Sequence, residues 1–395
     1  MKKILFVSPH LIAGGVERAL LNLISILPEE EYSIHLSLVH FNGKFLNQIP
    51  EKVILKYMPI SQEQAFILTC GGTKATIKYH MKKKRIFRAL KVFIKKLSGD
   101  MIAEFDGSFK KMKVDEENYD VAVCYHMHMP FIVKYVAEKI IAEKKFIFIH
   151  NDFMTTGFKV KKLSASLEVY NNFFCVGKDI YNEFTEILPN LKPKTSVFYN
   201  VISTQKIHEM ADKGEGFTDD FNGVRILTIG RLNSQKGFFL ALDAAERLME
   251  KKINFRWYVL GDGELKEEIS NLIRTKKLED HFLLLGITDN PYGLLKQCDI
   301  YAQTSLHEAY CTTINEARIL YKPIVTTDVA GTSEMLENGK LGIICKKDAN
   351  EIAESIELLV QNKNLRQQYT ANLKLLNIDT TIKALKIISE AIDSY

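Results

Sequence analysis

The sequence predicts two doubly wound α/β domains, each a parallel sheet covered by helices on both faces. Three observations carry that expectation. Short β-rich runs alternate with amphipathic helical runs along the chain, the pattern of parallel strands joined by crossover helices. The 395 residues are long for one domain and comfortable for two. A polar, acidic stretch at 203–223, containing Gly214, Gly216, Asp219, Asp220 and Gly223, interrupts the alternation near mid-chain and reads as a linker.

In order, the β-rich runs of the first half are 3–7, 34–39, 53–57, 121–124, 146–149, 173–176 and 196–198, with clear helical periodicity at 16–27 and 131–142. Those of the second half are 225–229, 256–260, 282–285, 300–303, 324–327 and 342–345, separated by helical segments such as 239–249, 265–275 and 313–321. From about 348 onward the pattern is helical. The expected division is an N-terminal domain over 1–202, the linker, a C-terminal domain over 224–375, and a last helix over 376–395 for which a return to the first domain stays open. Such sheets bind ligands beyond the carboxyl ends of their strands, so the informative residues follow strands directly.

Composition narrows the class. With 46% apolar and 26% charged residues the chain is neither disordered nor collagen-like. Cysteines 70, 124, 175, 298, 311 and 345 are scattered without a C-x-x-C pair, as expected of core thiols in a reducing compartment rather than a zinc or disulfide framework. After Met1-Lys2-Lys3 the apolar run stops at Ser8-Pro9-His10, too soon for a signal core, and no run reaches the ~18 apolar residues of a spanning helix. A cytoplasmic protein is expected.

Three post-strand segments could carry chemistry. In Gly230-Arg231-Leu232-Asn233-Ser234-Gln235-Lys236-Gly237, two cations sit beside a helix N-terminus, a combination suited to a diphosphate. A solvated turn is the competing reading. In the segment from Ser305 to Ala317, Glu308 lies in the loop and Glu316 in the following helix, with the N–H groups of Thr312 and Thr313 placed for a phosphate. A carboxylate on a helix can hold the vicinal hydroxyls of a ribose, and one in the loop can contact a sugar. Taken alone, Glu316 reads more readily as a dipole-favoured helix acid and Glu308 as a solvated one. Near the N-terminus, Gly14-Gly15 allows close approach of a ligand to the backbone, but neither G-x-G-x-x-G nor a P-loop occurs, which disfavours NAD enzymes and P-loop ATPases. His150 closes a strand and could donate a hydrogen bond to a substrate hydroxyl or a developing anion, or be a structural histidine. His126 and His128 resemble a metal pair only superficially, because no third ligand is suggested nearby.

Together these segments resemble family 4 of the retaining, nucleotide-sugar-dependent glycosyltransferases with GT-B architecture. Glu308 to Glu316 matches the family's E-x7-E signature and Gly230 to Gly237 its G-R-L-x-x-x-K-G stretch. Leu260-Gly261-Asp262-Gly263 is similar to its V-G-D-G loop, 282–286 to its F-L-G segment, Asp299 to its A-D strand, Pro323-Ile324-Val325 to P-V-V, and Ala330-Gly331-Thr332-Ser333-Glu334 to G-G-x-x-E. The likeness is dense over 225–342 and thinner before it, resting there on Gly14 to Arg18, His150 and Tyr199-Asn200-Val201. It implies two Rossmann-like domains facing a cleft, with Arg231 and Lys236 neutralising the donor diphosphate and Glu316 holding the nucleotide ribose. It further implies that Glu308 contacts the donor sugar, Gly15 brings backbone N–H to the phosphates, and His150 steadies the transferring sugar. Gly14, Gly261, Gly263, Ile287, Tyr310, Cys311, Thr312 and Thr313 complete the implied donor-binding set. No cofactor and no metal are expected, since cations stand where other transferases use Mn²⁺ or Mg²⁺ and no D-x-D occurs. The departure is Ala309-Tyr310-Cys311, where the family commonly has Gly-Phe-Gly; it puts the donor's identity in question. UDP is favoured as the nucleotide.

The segment 74–97 holds ten Lys or Arg and no acid, more positive charge than the net +5 of the whole chain, so the remainder is net acidic. It reads as one helix with Ile86, Phe87, Leu90, Phe93, Ile94 and Leu97 on one face. Docking on an anionic membrane surface and packing on the N-terminal domain are equally open. The partners expected are a nucleotide sugar, a saccharide or lipid-linked acceptor of surface polysaccharide or glycolipid synthesis, and no nucleic acid. Competing functions are a sugar-nucleotide epimerase, which the E-x7-E signature disfavours, and a nucleotide-sugar-binding subunit with little catalysis. A phosphorylase-like enzyme lacks any signal for a pyridoxal lysine.

Overall fold

Two separate parallel sheets form the frame of a computed structural model, which describes all residues except 13, 41–42, 62–64, 66–71, 98–108, 110–111, 154–157, 309 and 395. The first comprises β1 (Lys2–Ser8), β2 (Tyr32–Leu38), β3 (Val53–Tyr57), β4 (Asp115–Cys124), β5 (Ile140–Ile149), β6 (Asn172–Cys175) and β7 (Thr195–Val197), in the order β3-β2-β1-β4-β5-β6-β7. The second comprises β8 (Val224–Ile229), β9 (Phe255–Leu260), β10 (Phe282–Gly286), β11 (Ile300–Gln303), β12 (Ile324–Thr327) and β13 (Ile343–Cys345), in the order β10-β9-β8-β11-β12-β13. The chain divides into one unit of Met1–Val201 with Thr381–Tyr395 and another of Ile202–Thr380.

Helices cover both faces of each sheet, so the central strands are buried along their length rather than alternating. All four residues of β11 and of β12 are buried. In the second unit Trp257 is fully buried, and its indole N–H donates to Thr228 Oγ1 at 2.9 Å. That hydroxyl in turn donates to the Ala302 carbonyl at 2.6 Å, tying β9, β8 and β11 together. In both sheets the strand order reverses beside the first strand, between β1 and β4 and between β8 and β11. Connections leave to opposite sides at such a point, and the crevice that remains at the carboxyl ends is where open α/β sheets take ligands.

The last helix, Thr381–Asp393, belongs to the first unit. Ala384, Ile388, Ala391 and Ile392 join the core that holds Leu20 and Ile24 of the helix Gly15–Ile26. Lys144 donates to the carbonyls of Ala391 and Ile392 at 3.2 and 3.0 Å, placing a cation on the end of the helix where carbonyls lack partners.

Three expectations are corrected. The stretch 203–223 is no bare linker: Thr204–Lys213 is a helix of the second unit, capped by Ser203, whose hydroxyl accepts from Lys206 N–H, and by Asp379, which accepts from Thr204 N–H and its hydroxyl. Only Ile207 and Ala211 of this helix are buried, too few apolar positions to show as a period. The helix expected over 131–142 runs Pro130–Lys139 and passes directly into β5, which begins at Ile140 and carries the polar, partly exposed residues 143–145 before its buried half. The single helix expected over 74–97 is two, Gly72–Lys82 and Ile86–Leu97. Lys84 takes φ 56°, and the N–H groups of Lys84 and Arg85 bond the carbonyls of Met81 and His80, the bonding pattern that closes a helix with a left-handed residue. The side chains of 72–76 and 95–97 lie outside the described set.

Candidate active site

β8 ends at Ile229, and the loop 230–237 leads into the helix Phe238–Glu250. Gly237 sits at φ +64°, and a Cβ there would collide with the Thr304 carbonyl oxygen, so only glycine serves. This close approach brings the loop after β8 against the loop after β11. Leu306 N–H donates to the Gln235 carbonyl at 2.8 Å, Gln235 Nε2 to the His307 carbonyl at 3.0 Å, and Thr304 Oγ1 to the Lys236 carbonyl at 3.1 Å. The two loops that flank the point of strand-order reversal are therefore one structure.

At their junction Lys236 Nζ lies 2.5 Å from Glu308 Oε1, with both side chains mostly withdrawn from water. Ser305 Oγ donates to the same carboxylate oxygen at 2.7 Å. Burial by itself would lower the Lys236 pKa; the Glu308 charge and hydrogen bond outweigh it and raise it, so the ammonium is held protonated. A buried cation needs a counter-charge, and Glu308 supplies it. Arg231 is exposed at the start of the same loop. Gly261 and Gly263 follow β9, and a Cβ on either would collide with the Gly230 or the Leu232 carbonyl oxygen. They let the loop after β9 support the Arg231 loop, with Leu232 N–H bonded to the Asp262 carbonyl at 3.0 Å. Ile287 follows β10 and is half exposed.

The helix Thr312–Ile319 opens with Thr312 and Thr313, whose N–H groups have no carbonyl one turn back within the helix. Glu316 is on its second turn and accepts from the Tyr292 hydroxyl at 2.9 Å. Cys311 precedes the helix and is buried, which pushes its thiol up to about 11, and its sulfur lies 3.2 Å from Thr313 Oγ1. Tyr310 is largely buried, and burial raises its hydroxyl. Ala309 lies outside the described residues.

In the first unit, Gly14 is extended and precedes Gly15, the exposed first residue of the helix Gly15–Ile26. His150 is buried at the end of β5, with its ring 4.6 Å from that of Tyr125; burial lowers its pKa to about 3, so the imidazole is neutral and can donate from only one nitrogen. His126 follows β4, 6.2 Å from His150 and 6.5 Å from His10 between ring centres, and burial lowers it to about 3 as well. Glu17 lies beneath these rings with Oε1 3.3 Å from His10 Nδ1. Burial opposes its charge, but the hydrogen bond with His10 holds the carboxyl below its usual range. His128 packs instead on Phe158 and Phe153, and burial lowers it to about 4. Among the described residues no group of three or more His, Cys, Asp or Glu could hold a metal ion.

Residues 220–375 match the model of the glycosyl transferases group 1 family. Over that span the chain is similar to this family. An uncharacterized glycosyltransferase of Methanocaldococcus jannaschii is 29% identical over 51% of this chain and 59% of its own length. The N-acetylgalactosamine-N,N'-diacetylbacillosaminyl-diphospho-undecaprenol 4-alpha-N-acetylgalactosaminyltransferase of Campylobacter jejuni is 29% identical over 46% of this chain and 48% of its own. The chain thus spans about half the length of these curated relatives. Anabaena HepE, solved with UDP and glucose, superposes over 100% of both chains with a TM-score of 0.71 at 16% identity, which establishes the GT-B fold of two doubly wound units.

Within the second unit the structure brings together Lys236, Glu308 and the supporting Ser305, and it sets Glu316 on the helix that begins three residues after Ala309. Sequence reasoning did not assign Ser305, Tyr292 or Glu17 a part. Ser305 had a signal, being a small polar residue two positions past the strand that leads to Glu308. Tyr292 had none, since its partner lies 24 residues away on another element.

Proposed function

We propose that this protein is a retaining glycosyltransferase that takes a sugar from a UDP-sugar without a divalent metal. The observation that carries the reading is the buried Lys236–Glu308 pair at the strand-order reversal of the group 1 domain. In this reading Lys236 and Arg231 bind the donor diphosphate. The bond from the anomeric carbon to the phosphate oxygen breaks with its electron pair going to the diphosphate, and those cations stabilise the charge that builds there. The acceptor hydroxyl bonds to the anomeric carbon on the same face and passes its proton to the departing phosphate oxygen. Glu308 holds the donor sugar's hydroxyls, Glu316 the ribose hydroxyls, and the first N–H groups of Thr312 and Thr313 a phosphate. His150, neutral and buried, donates one hydrogen bond to the transferring sugar. Gly14 and Gly15 leave the first N–H groups of their helix open to an anion.

The acceptor is a saccharide, free or lipid-linked, in surface polysaccharide or glycolipid synthesis; the activity for which the Campylobacter relative is named supports the lipid-linked form. The protein works as a peripheral enzyme at a membrane face through the hairpin of Gly72–Lys82 and Ile86–Leu97. Ile86, Leu90 and Phe93 are half exposed and Phe87 is 89% exposed, while Ala89 and Val92 face the protein. Exposed cations from Lys82 to Lys91 border that apolar face. A second copy seated there would oppose like charges, whereas an anionic lipid surface complements them. The enzymatic reading is tested by following hydrolysis or transfer of UDP-sugars in excess EDTA. Turnover that persists supports it, and turnover abolished by EDTA and restored by Mn²⁺ or Mg²⁺ contradicts it.

A further inference from the structure

A central strand of a doubly covered sheet normally carries apolar side chains, because a buried polar group costs free energy unless it is fully bonded. β11 departs from this. Tyr301, Gln303 and, just beyond it, Ser305 are all fully buried. Their polar atoms form one chain. The Tyr301 hydroxyl lies 2.5 Å from Gln303 Oε1, Gln303 Nε2 lies 2.6 Å from Ser305 Oγ, and Ser305 Oγ lies 2.7 Å from Glu308 Oε1. A branch runs from Thr313 Oγ1, 3.2 Å from Gln303 Oε1 and 2.7 Å from the Tyr301 hydroxyl. Thr327 Oγ1 of β12 fixes the backbone beneath it by donating to the Ser305 carbonyl at 2.5 Å.

The chain has a direction. An ionised carboxylate only accepts, so Ser305 must give its one hydrogen to Glu308. Its oxygen must then accept from Gln303, which turns the amide NH₂ toward Ser305 and the amide oxygen toward Tyr301 and Thr313. Every hydrogen in the series points toward Glu308. One end is the carboxylate in the loop, and the other is the first turn of the helix Thr312–Ile319.

We infer that this relay positions the Glu308 carboxylate against the first turn of that helix, with Gln303 as the link that only a two-sided donor and acceptor can fill. The inference rests on the proposed role of Glu308 toward the donor sugar. It assigns Tyr301, Gln303 and Ser305 as positioning residues that set the distance between the sugar-holding group and the phosphate-holding amides. Nucleotide binding does not need that distance; transfer does.

The test separates these two. Gln303→Met keeps length and removes both bonds. The expected result is a kcat lower by about 10- to 100-fold with UDP affinity, measured calorimetrically, within about threefold of the parent. In Gln303→Glu only the protonated carboxyl can donate to Ser305, so its kcat is expected to rise as pH falls relative to the parent. Tyr301→Phe, which removes a single oxygen, is expected to lower kcat by about 3- to 10-fold at unchanged UDP affinity, and it decides the matter if the Gln303 variants do not fold. Unchanged kcat in these variants, or kcat and UDP affinity falling together with the melting temperature, overturns the relay. Glu308→Gln is the control for the underlying reading: if it leaves kcat intact, the role of Glu308 fails, whereas loss there with unaffected relay variants defeats the relay alone.

Discussion

At the scale of single residues, charge state decides what each group can do. Lys236 stays an ammonium because Glu308 offsets the cost of burying it, so it is ready for an anion without a proton change. Three histidines of the first unit, His126, His128 and His150, are the opposite case. A free imidazole takes a proton below about 6.5, while burial keeps His126 and His150 neutral down to about 3 and His128 to about 4. Across that window the unfolded chain binds more protons than the folded one, so stability rises with pH and is lost on acidification from about 6.5 downward. Glu17, with its carboxyl held low, adds loss of the same sign at more acid pH. Denaturation midpoints of the protein measured from about pH 7 to pH 4 are expected to fall, and His150→Gln is expected to flatten the slope. An unchanged slope in that variant would contradict the neutral, buried state assigned to His150.

At the scale of elements, what was legible in the sequence followed burial. The strands of the second sheet show as apolar runs because both their faces are covered, and β11 and β12 begin and end where those runs do. β4 and β5 start earlier than their apolar runs, since 115–118 and 143–145 are polar and only the carboxyl-terminal halves enter the core. The helix Thr204–Lys213 escaped notice because capping by Ser203 and Asp379 supports it where apolar periodicity does not. The break at Lys84 escaped for another reason: a lysine in the left-handed conformation leaves no trace in a run of four consecutive cations. The exposed apolar face of Ile86–Leu97 bears on association with membranes. Each Lys or Arg near an anionic surface contributes about 1 kcal/mol, so flotation with phosphatidylglycerol vesicles, weaker at high salt and reduced in Phe87→Ser with Leu90→Ser, is the expected result. A protein left unbound by such vesicles at physiological ionic strength would contradict peripheral docking. No helix among the described residues is long and apolar enough to cross a membrane.

At the scale of the whole molecule, the chain builds the same plan twice, and each unit keeps its candidate groups beside its own strand-order reversal. In the first unit these are Gly14, Gly15, His126 and His150, after β1, β4 and β5; in the second they are Arg231, Lys236 and Glu308, after β8 and β11. Arg231 and Lys236 were readable because they are close in sequence to a glycine that the backbone requires, Gly237, and Glu308 through its spacing to Glu316. Pairing of Lys236 with Glu308 was not readable, since 72 residues separate them and only contact between the two loops joins them. The account depends on that pair receiving a nucleotide diphosphate. The direct measurement is the melting temperature of the parent, Lys236→Ala and Arg231→Ala across a panel of nucleoside diphosphates and nucleotide sugars. A rise for the parent with UDP or a UDP-sugar, diminished in both variants, is predicted. No rise with any diphosphate, or a rise that both variants retain in full, would contradict it.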